Sequence, residues 1–123
     1  MSRLLAVLAL LWAGNCCASD WQYVAYSGVA ADVISTRYAL DKGLEEGNPL
    51  LGKRPSNAVL LASGLARAGG VYLCRDNPTA LKIISALTFG AATNNVLAAR
   101  GDRDHAGKGL GAAGFVMLVS IPF

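Results

Sequence analysis

The chain has 123 residues, which allows one domain, and only 15% of them are charged against 54% hydrophobic. Soluble domains carry about 25% charge, so the composition points toward an apolar environment. The formal charge of +3 includes no long basic run, which excludes a nucleic-acid-binding role as the working expectation.

Residues 1–19 read as a signal peptide. Arg3 supplies a positive n-region, Leu4 to Ala13 an apolar run, and Cys16, Cys17, Ala18 and Ser19 a small-residue cleavage site. Cleavage is expected after Ala18 or Ser19; the alternative, an uncleaved first span, has a short apolar run for that role. Lipidation at Cys16 is disfavoured because Asn15 stands where a lipobox wants a small residue. With the signal removed only Cys74 remains, so the mature fold has no internal disulfide and no thiolate zinc cluster.

Residues 20–123 are expected to form a single all-α domain. Four apolar stretches follow the signal: about Trp21–Leu40, Asn57–Cys74, Pro78–Ala98 and Lys108–Pro122. None alternates with a period of two, and Ala, Leu, Val and Gly dominate, so each is predicted as a helix. Their lengths approach the 17–25 residues that span a bilayer. Breakers separate them: Gly43, Gly47 and Pro49, then Asp76-Asn77-Pro78, then Gly101 to Gly107. The prediction is a small bundle of four transmembrane helices.

Loop charges give an orientation. With the mature N-terminus outside, Lys42, Lys53, Arg54, Arg100, Arg103 and Lys108 fall on the inner side and only Arg75 on the outer. The positive-inside rule predicts this asymmetry. The expected location is the bacterial inner membrane, with the mature N- and C-termini on the periplasmic side and Trp21, Tyr23 and Tyr26 at the outer interface. The competing reading is a soluble periplasmic helical binding module, because Asp32, Arg37, Arg67 and Lys82 fall inside the proposed spans and mid-bilayer charge is costly.

Polar and small residues recur on one face of each segment. Gly28, Asp32 and Thr36 share a face, as do Ser63, Arg67 and Gly70. Lys82, Ser85, Thr88, Ala92 and Asn95 form a third stripe, and Gly107, Gly111 and Gly114 a fourth. Such faces suit helix–helix packing. Asp32 and Arg67 lie at comparable depth on antiparallel helices, so a buried pair would neutralise both; the alternatives are an Asp32 carboxylate serving a proton or cation path and no contact between the two.

The first connector is the most specific segment. Ala31-Asp32-Val33-Ile34-Ser35-Thr36 is followed by Glu45-Glu46-Gly47-Asn48-Pro49-Leu50-Leu51-Gly52-Lys53-Arg54-Pro55-Ser56. Pro49 holds Asn48 extended, the Asn48 side chain can close a turn, and Ser56 is a plausible N-cap. Glu46 can pair with Lys53 and Arg54, fold back toward Thr36, or join Asp32, Thr36 and Asn48 in an oxygen-rich cation site.

From Asp32 to Asn95 this pattern resembles a family of small, uncharacterised bacterial and phage-associated membrane proteins. Its marks are an Asp and a Thr four apart, then Glu-x-Asn-Pro-x-Leu-Gly, then Pro-Ser. A late-helix Asn of the family would match Asn94 or Asn95. A common variant has Gln before the Thr, where this chain has Ser35. The resemblance implies fold and location and carries no activity.

The candidate polar cluster is therefore Asp32, Thr36, Glu46, Asn48, Arg67, Asn94 and Asn95. No Gly-x-Ser-x-Gly, Walker loop or His-Glu-x-x-His is present, and the one histidine, His105, falls in a polar run expected to be a solvated loop. No catalytic residues, metal or cofactor are expected. The leading expectation is a small integral membrane protein with an accessory or structural role, contacting lipid and other membrane-protein subunits. The alternative within the membrane is an ion-conducting, proton-conducting or transport subunit using Asp32 and Glu46.

Overall fold

A computed structural model describes residues 18–119. Most of the proposed signal peptide (residues 1–17) and residues 120–123, which include the end of the fourth segment, lie outside the described residues. Four helices follow in order: α1 (Ala18–Asp41), α2 (Asn57–Leu73), α3 (Pro78–Ala99) and α4 (His105–Val119), with no strand among the described residues. The fold is an all-helical bundle. The proposed cleavage points, Ala18 and Ser19, fall in the first turn of α1.

Local chemistry sets the ends. Ser56 caps α2, its side chain accepting from the Val59 amide at 3.3 Å. Asn77 caps α3 in the same way, with Pro78 in the first turn where no amide donor is needed. The fourth helix begins three residues earlier than the hydrophobicity of Lys108–Pro122 suggests. The polar Asp102–His105 run supplies its start: Asp102 Oδ1 accepts from the Asp104 amide at 2.9 Å, and the Lys108 amide donates to the Asp104 carbonyl at 3.0 Å.

The helices alternate in direction. Trp21 and Leu81 meet near the starts of α1 and α3, and Thr36 and Asn95 meet near their ends, so these two helices are parallel. They form the centre, with α2 against α1 and α4 against α3. Trp21, Ala25, Val29, Val71 and Leu81 make the apolar core at one end of the bundle. Trp21 is not an interfacial ring as the sequence suggested: it is 5% exposed, with the Lys82 ammonium 5.7 Å from its ring centroid, while Tyr23 is exposed.

Among the described residues, no helix is long and apolar enough to cross a membrane. α2 has 17 residues, against the roughly 20 a span needs, and α4 has 15 among the described residues. α1 carries Asp20, Asp32, Arg37 and Asp41, and α3 carries Lys82 and the Asn94-Asn95 pair.

Glycine permits the close approaches, though not all those expected. A Cβ on Gly28 would fall 2.1 Å from Thr88 Oγ1, which lets α1 lie against α3. On α4 the close contact is Gly109, whose added Cβ would stand 2.9 Å from both Asn94 Cβ and the Gly90 carbonyl. The expected stripe of Gly107, Gly111 and Gly114 meets open space instead. The buried face of α4 is phased by His105, Gly109, Ala113 and Val116, a quarter to half turn from the glycine pattern.

These contacts separate two kinds of glycine. Gly28→Ala should destabilise the fold by about 1–3 kcal/mol through overpacking. Gly111→Ala should be neutral or stabilising by up to about 1 kcal/mol, because alanine is the better helix former. Chemical denaturation followed by helical circular dichroism reads both.

Candidate functional site

The helical register of α1 turns Asp32, Ser35 and Thr36 inward together, one turn below Gly28. Asp32 is held from two helices. Arg67 of α2 donates from Nη1 to Asp32 Oδ2 in an ion pair, and Asn95 of α3 donates from Nδ2 to Asp32 Oδ1 at 3.3 Å. The Asp32 side chain is 12% exposed and that of Arg67 38%, so the pair sits at the wall of the bundle. Asn95 Nδ2 also lies 3.0 Å from Thr36 Oγ1 and 3.3 Å from Ser35 Oγ. Arg67 is braced along its own helix by the Ser63 carbonyl and Ser63 Oγ, both at 3.4 Å.

The first connector closes over this cluster. Glu46 Oε1 accepts from the Asn48 amide at 2.9 Å, and Asn48 Oδ1 accepts from the Leu50 amide at 3.0 Å. The Glu46 amide donates to the Lys53 carbonyl at 2.8 Å, which pins the loop across its base. It is Glu45, not Glu46, that pairs with Lys53, at 3.2 Å. Gly52 takes a positive φ of 76° that lets the chain turn back there.

The result is a cleft of about 390 Å³ with a polar floor and leucine walls. Asp32, Thr36, Glu46, Asn48, Arg67 and Asn95 all line it, with Leu50, Leu51 and Leu60. Asn94, the seventh candidate, does not. It points to α4, where His105 Nδ1 donates to Asn94 Oδ1 at 2.6 Å. Two neighbours on a helix diverge by about 100°, so Asn94 and Asn95 cannot serve the same cluster. His105 is accordingly a half-buried first residue of α4 rather than part of a solvated loop.

Ser35 and Ser63, beyond the seven candidates, also belong to the cluster. Both lie one turn from a charged member, Ser35 three residues after Asp32 and Ser63 four before Arg67; that spacing was the available signal.

The cluster joins a carboxylate, a guanidinium, an amide and hydroxyls in one hydrogen-bonded set. The hydroxyls of Ser35 and Ser63 donate to carbonyls one turn back, at 3.0 and 3.2 Å, as helical serines commonly do. No group of three or more His, Cys, Asp or Glu is placed to hold a metal ion among the described residues. Cys74 is a half-buried thiol at the end of α2, packed against the apolar core. Comparison with family models, with curated proteins and with solved structures finds no match for this chain.

The ion pair is best tested as a cycle. Arg67→Met and Asp32→Asn should each destabilise, and the double variant should lose less than the two losses added. A coupling of about 1 kcal/mol, discounted for the partial exposure of Arg67, is expected from denaturation midpoints. Additive losses would show that the pair does not act as a unit.

A second charged contact ties the third connector. Lys108 Nζ lies 2.5 Å from Asp102 Oδ2. This contact, and then the Asp104 amide, hold the Asp102 carboxyl below its ordinary value. A carboxyl depressed in the folded state contributes stability that is present above its unfolded pKa and lost as pH falls through the folded one. Acid should therefore weaken the connector only below the usual aspartate range, and Asp102→Asn should flatten the low-pH limb of the melting profile.

Proposed function

We propose that the chain is a small integral protein of the bacterial inner membrane, with an accessory or structural role inside a larger assembly. One observation carries this reading: beside its small apolar core the bundle buries a set of polar side chains while leaving many large aliphatic ones exposed. Asp32, Ser35, Thr36, Ser85 and Thr88 are buried, while Ile34, Leu61, Leu65, Leu87 and Leu118 are exposed, Leu73 and Leu110 being 80% and 75% exposed. Large contiguous apolar surfaces are uncommon on soluble monomers. Inward polar faces and outward aliphatic ones suit a bundle in lipid.

Among the described residues, helix-averaged hydropathy weighs against single spans, as does the length of α2. The average counts residues that the bundle hides from lipid, including Asp32, Thr36, Ser85 and Thr88. At 1.5 Å per residue α2 reaches roughly 25 Å. Local bilayer thinning accommodates short helices at modest cost.

The charge distribution supports an orientation. Because the helices alternate, the 42–56 and 100–104 connectors share one end. That end carries Lys42, Lys53, Arg54, Arg100 and Arg103, with only Arg75 in the α2–α3 turn. On the positive-inside rule this end is cytoplasmic and both termini are periplasmic. The occupied carboxylate of Asp32, engaged by Arg67 and Asn95, favours a structural role over a proton or cation path.

Carbonate extraction of membranes tests the reading. The chain should stay in the pellet, and release into the supernatant would favour a periplasmic module instead. A reporter fused after Arg103 should read out in the cytoplasm.

A further inference from the structure

Asp32, Arg67 and Ala91 line two cavities at once. On the connector side is the polar-floored cleft. On the other side is a groove of about 480 Å³ walled by Val29, Ile84 and Leu87. The two meet at the ion pair, along the seam where α2 stands away from α3. One end of this seam is charged and the other aliphatic, which is the profile of an amphiphile.

The charged end has a definite complement. An arginine has five N–H donors. Asp32 and Ser63 engage one each from Nη1, Nε and Nη2, leaving two for an anionic oxygen. Glu46 uses Oε1 on the Asn48 amide, and its second oxygen has no partner among the described residues. The nearby Lys53 ammonium is already paired with Glu45. A spare guanidinium edge and an unneutralised carboxylate in one cleft fit a zwitterion better than a simple anion or cation.

We propose that the α2–α3 seam binds one phospholipid with a primary-amine head group. Its phosphate lies on Arg67, its ammonium on Glu46, and one acyl chain runs past Ala91 along Leu87 and Ile84. The inference rests on the membrane reading for the supply of this ligand.

The test uses the full chain, stripped of lipid in mild detergent and offered phosphatidylethanolamine or phosphatidylglycerol in mixed micelles. Native mass spectrometry should find one phosphatidylethanolamine retained per chain, and phosphatidylglycerol, which has no amine, held about tenfold more weakly. That factor is the loss of one charge-assisted hydrogen bond. Glu46→Gln should remove the discrimination between the two lipids. Ala91 is exposed, so Ala91→Phe should block the junction and abolish retention with helical content unchanged. Phosphoethanolamine, the head group without chains, should bind more weakly than the lipid.

Equal retention of the two lipids, normal retention by Ala91→Phe, or equal binding of phosphoethanolamine would overturn the proposal. A chain released by carbonate that still selects phosphatidylethanolamine would sink the embedding and keep the seam. An embedded chain that selects neither lipid would do the reverse.

Discussion

The bundle depends on how one carboxylate is satisfied. Asp32 is a charge between helices, and a charge removed from water is costly unless paired and hydrogen-bonded. Its two oxygens are answered from different elements, Oδ2 by Arg67 on α2 and Oδ1 by Asn95 on α3. The same side chain therefore fixes two helices relative to α1. This matters most for α2, which makes its contacts mainly with α1 and leaves a seam toward α3. Without the Asp32–Arg67 pair, α2 would be held largely by Val71 in the core and by the close contact of Gly64 with Val33.

Aliphatic burial has a smaller part. The buried apolar set is dominated by Ala and Val, with Trp21 as its only aromatic ring among the described residues. Helix approach is instead set by small residues and by hydroxyls that bond to their own backbone. Ser85 and Thr88 both donate to carbonyls one turn back, at 2.8 Å, so they can be buried without seeking partners on other helices. Such a core gains from close packing in any surroundings, while the exposed Ile and Leu side chains gain only if something apolar covers them.

Much of this was legible from residue patterns. Helix positions followed from apolar runs bounded by Pro, Asn and Gly, and the Asp32–Arg67 pairing followed from their matching depths on antiparallel helices. The connector was readable because Asn48, Pro49 and Ser56 act locally, through their own backbone. What was not legible depended on helix phase. Gly107, Gly111 and Gly114 make a tidy stripe, yet α4 presents Gly109 to α3, because the packing of His105 on Asn94 fixes its rotation. Asn94 and Asn95 look equivalent in the chain and serve opposite neighbours for the same reason. Glu45 and Glu46 also divide their work, one pairing with Lys53 and the other closing the turn, a choice only loop geometry makes.

The Asn95 amide offers two hydrogens to three oxygens, those of Asp32, Ser35 and Thr36. The ledger of donors and acceptors is thus lopsided, with one giver and several takers. Ser35 and Thr36 are interchangeable in this arrangement, since either can lapse while another takes up the same hydrogen. Asn95 has no understudy. Sequence drift should then fall unevenly across the contact: positions 35 and 36 accept other residues that bring an oxygen to that turn, while Asp32 and Asn95 are held by their own partners. A contact of this kind can wander in composition on one helix while keeping its geometry intact.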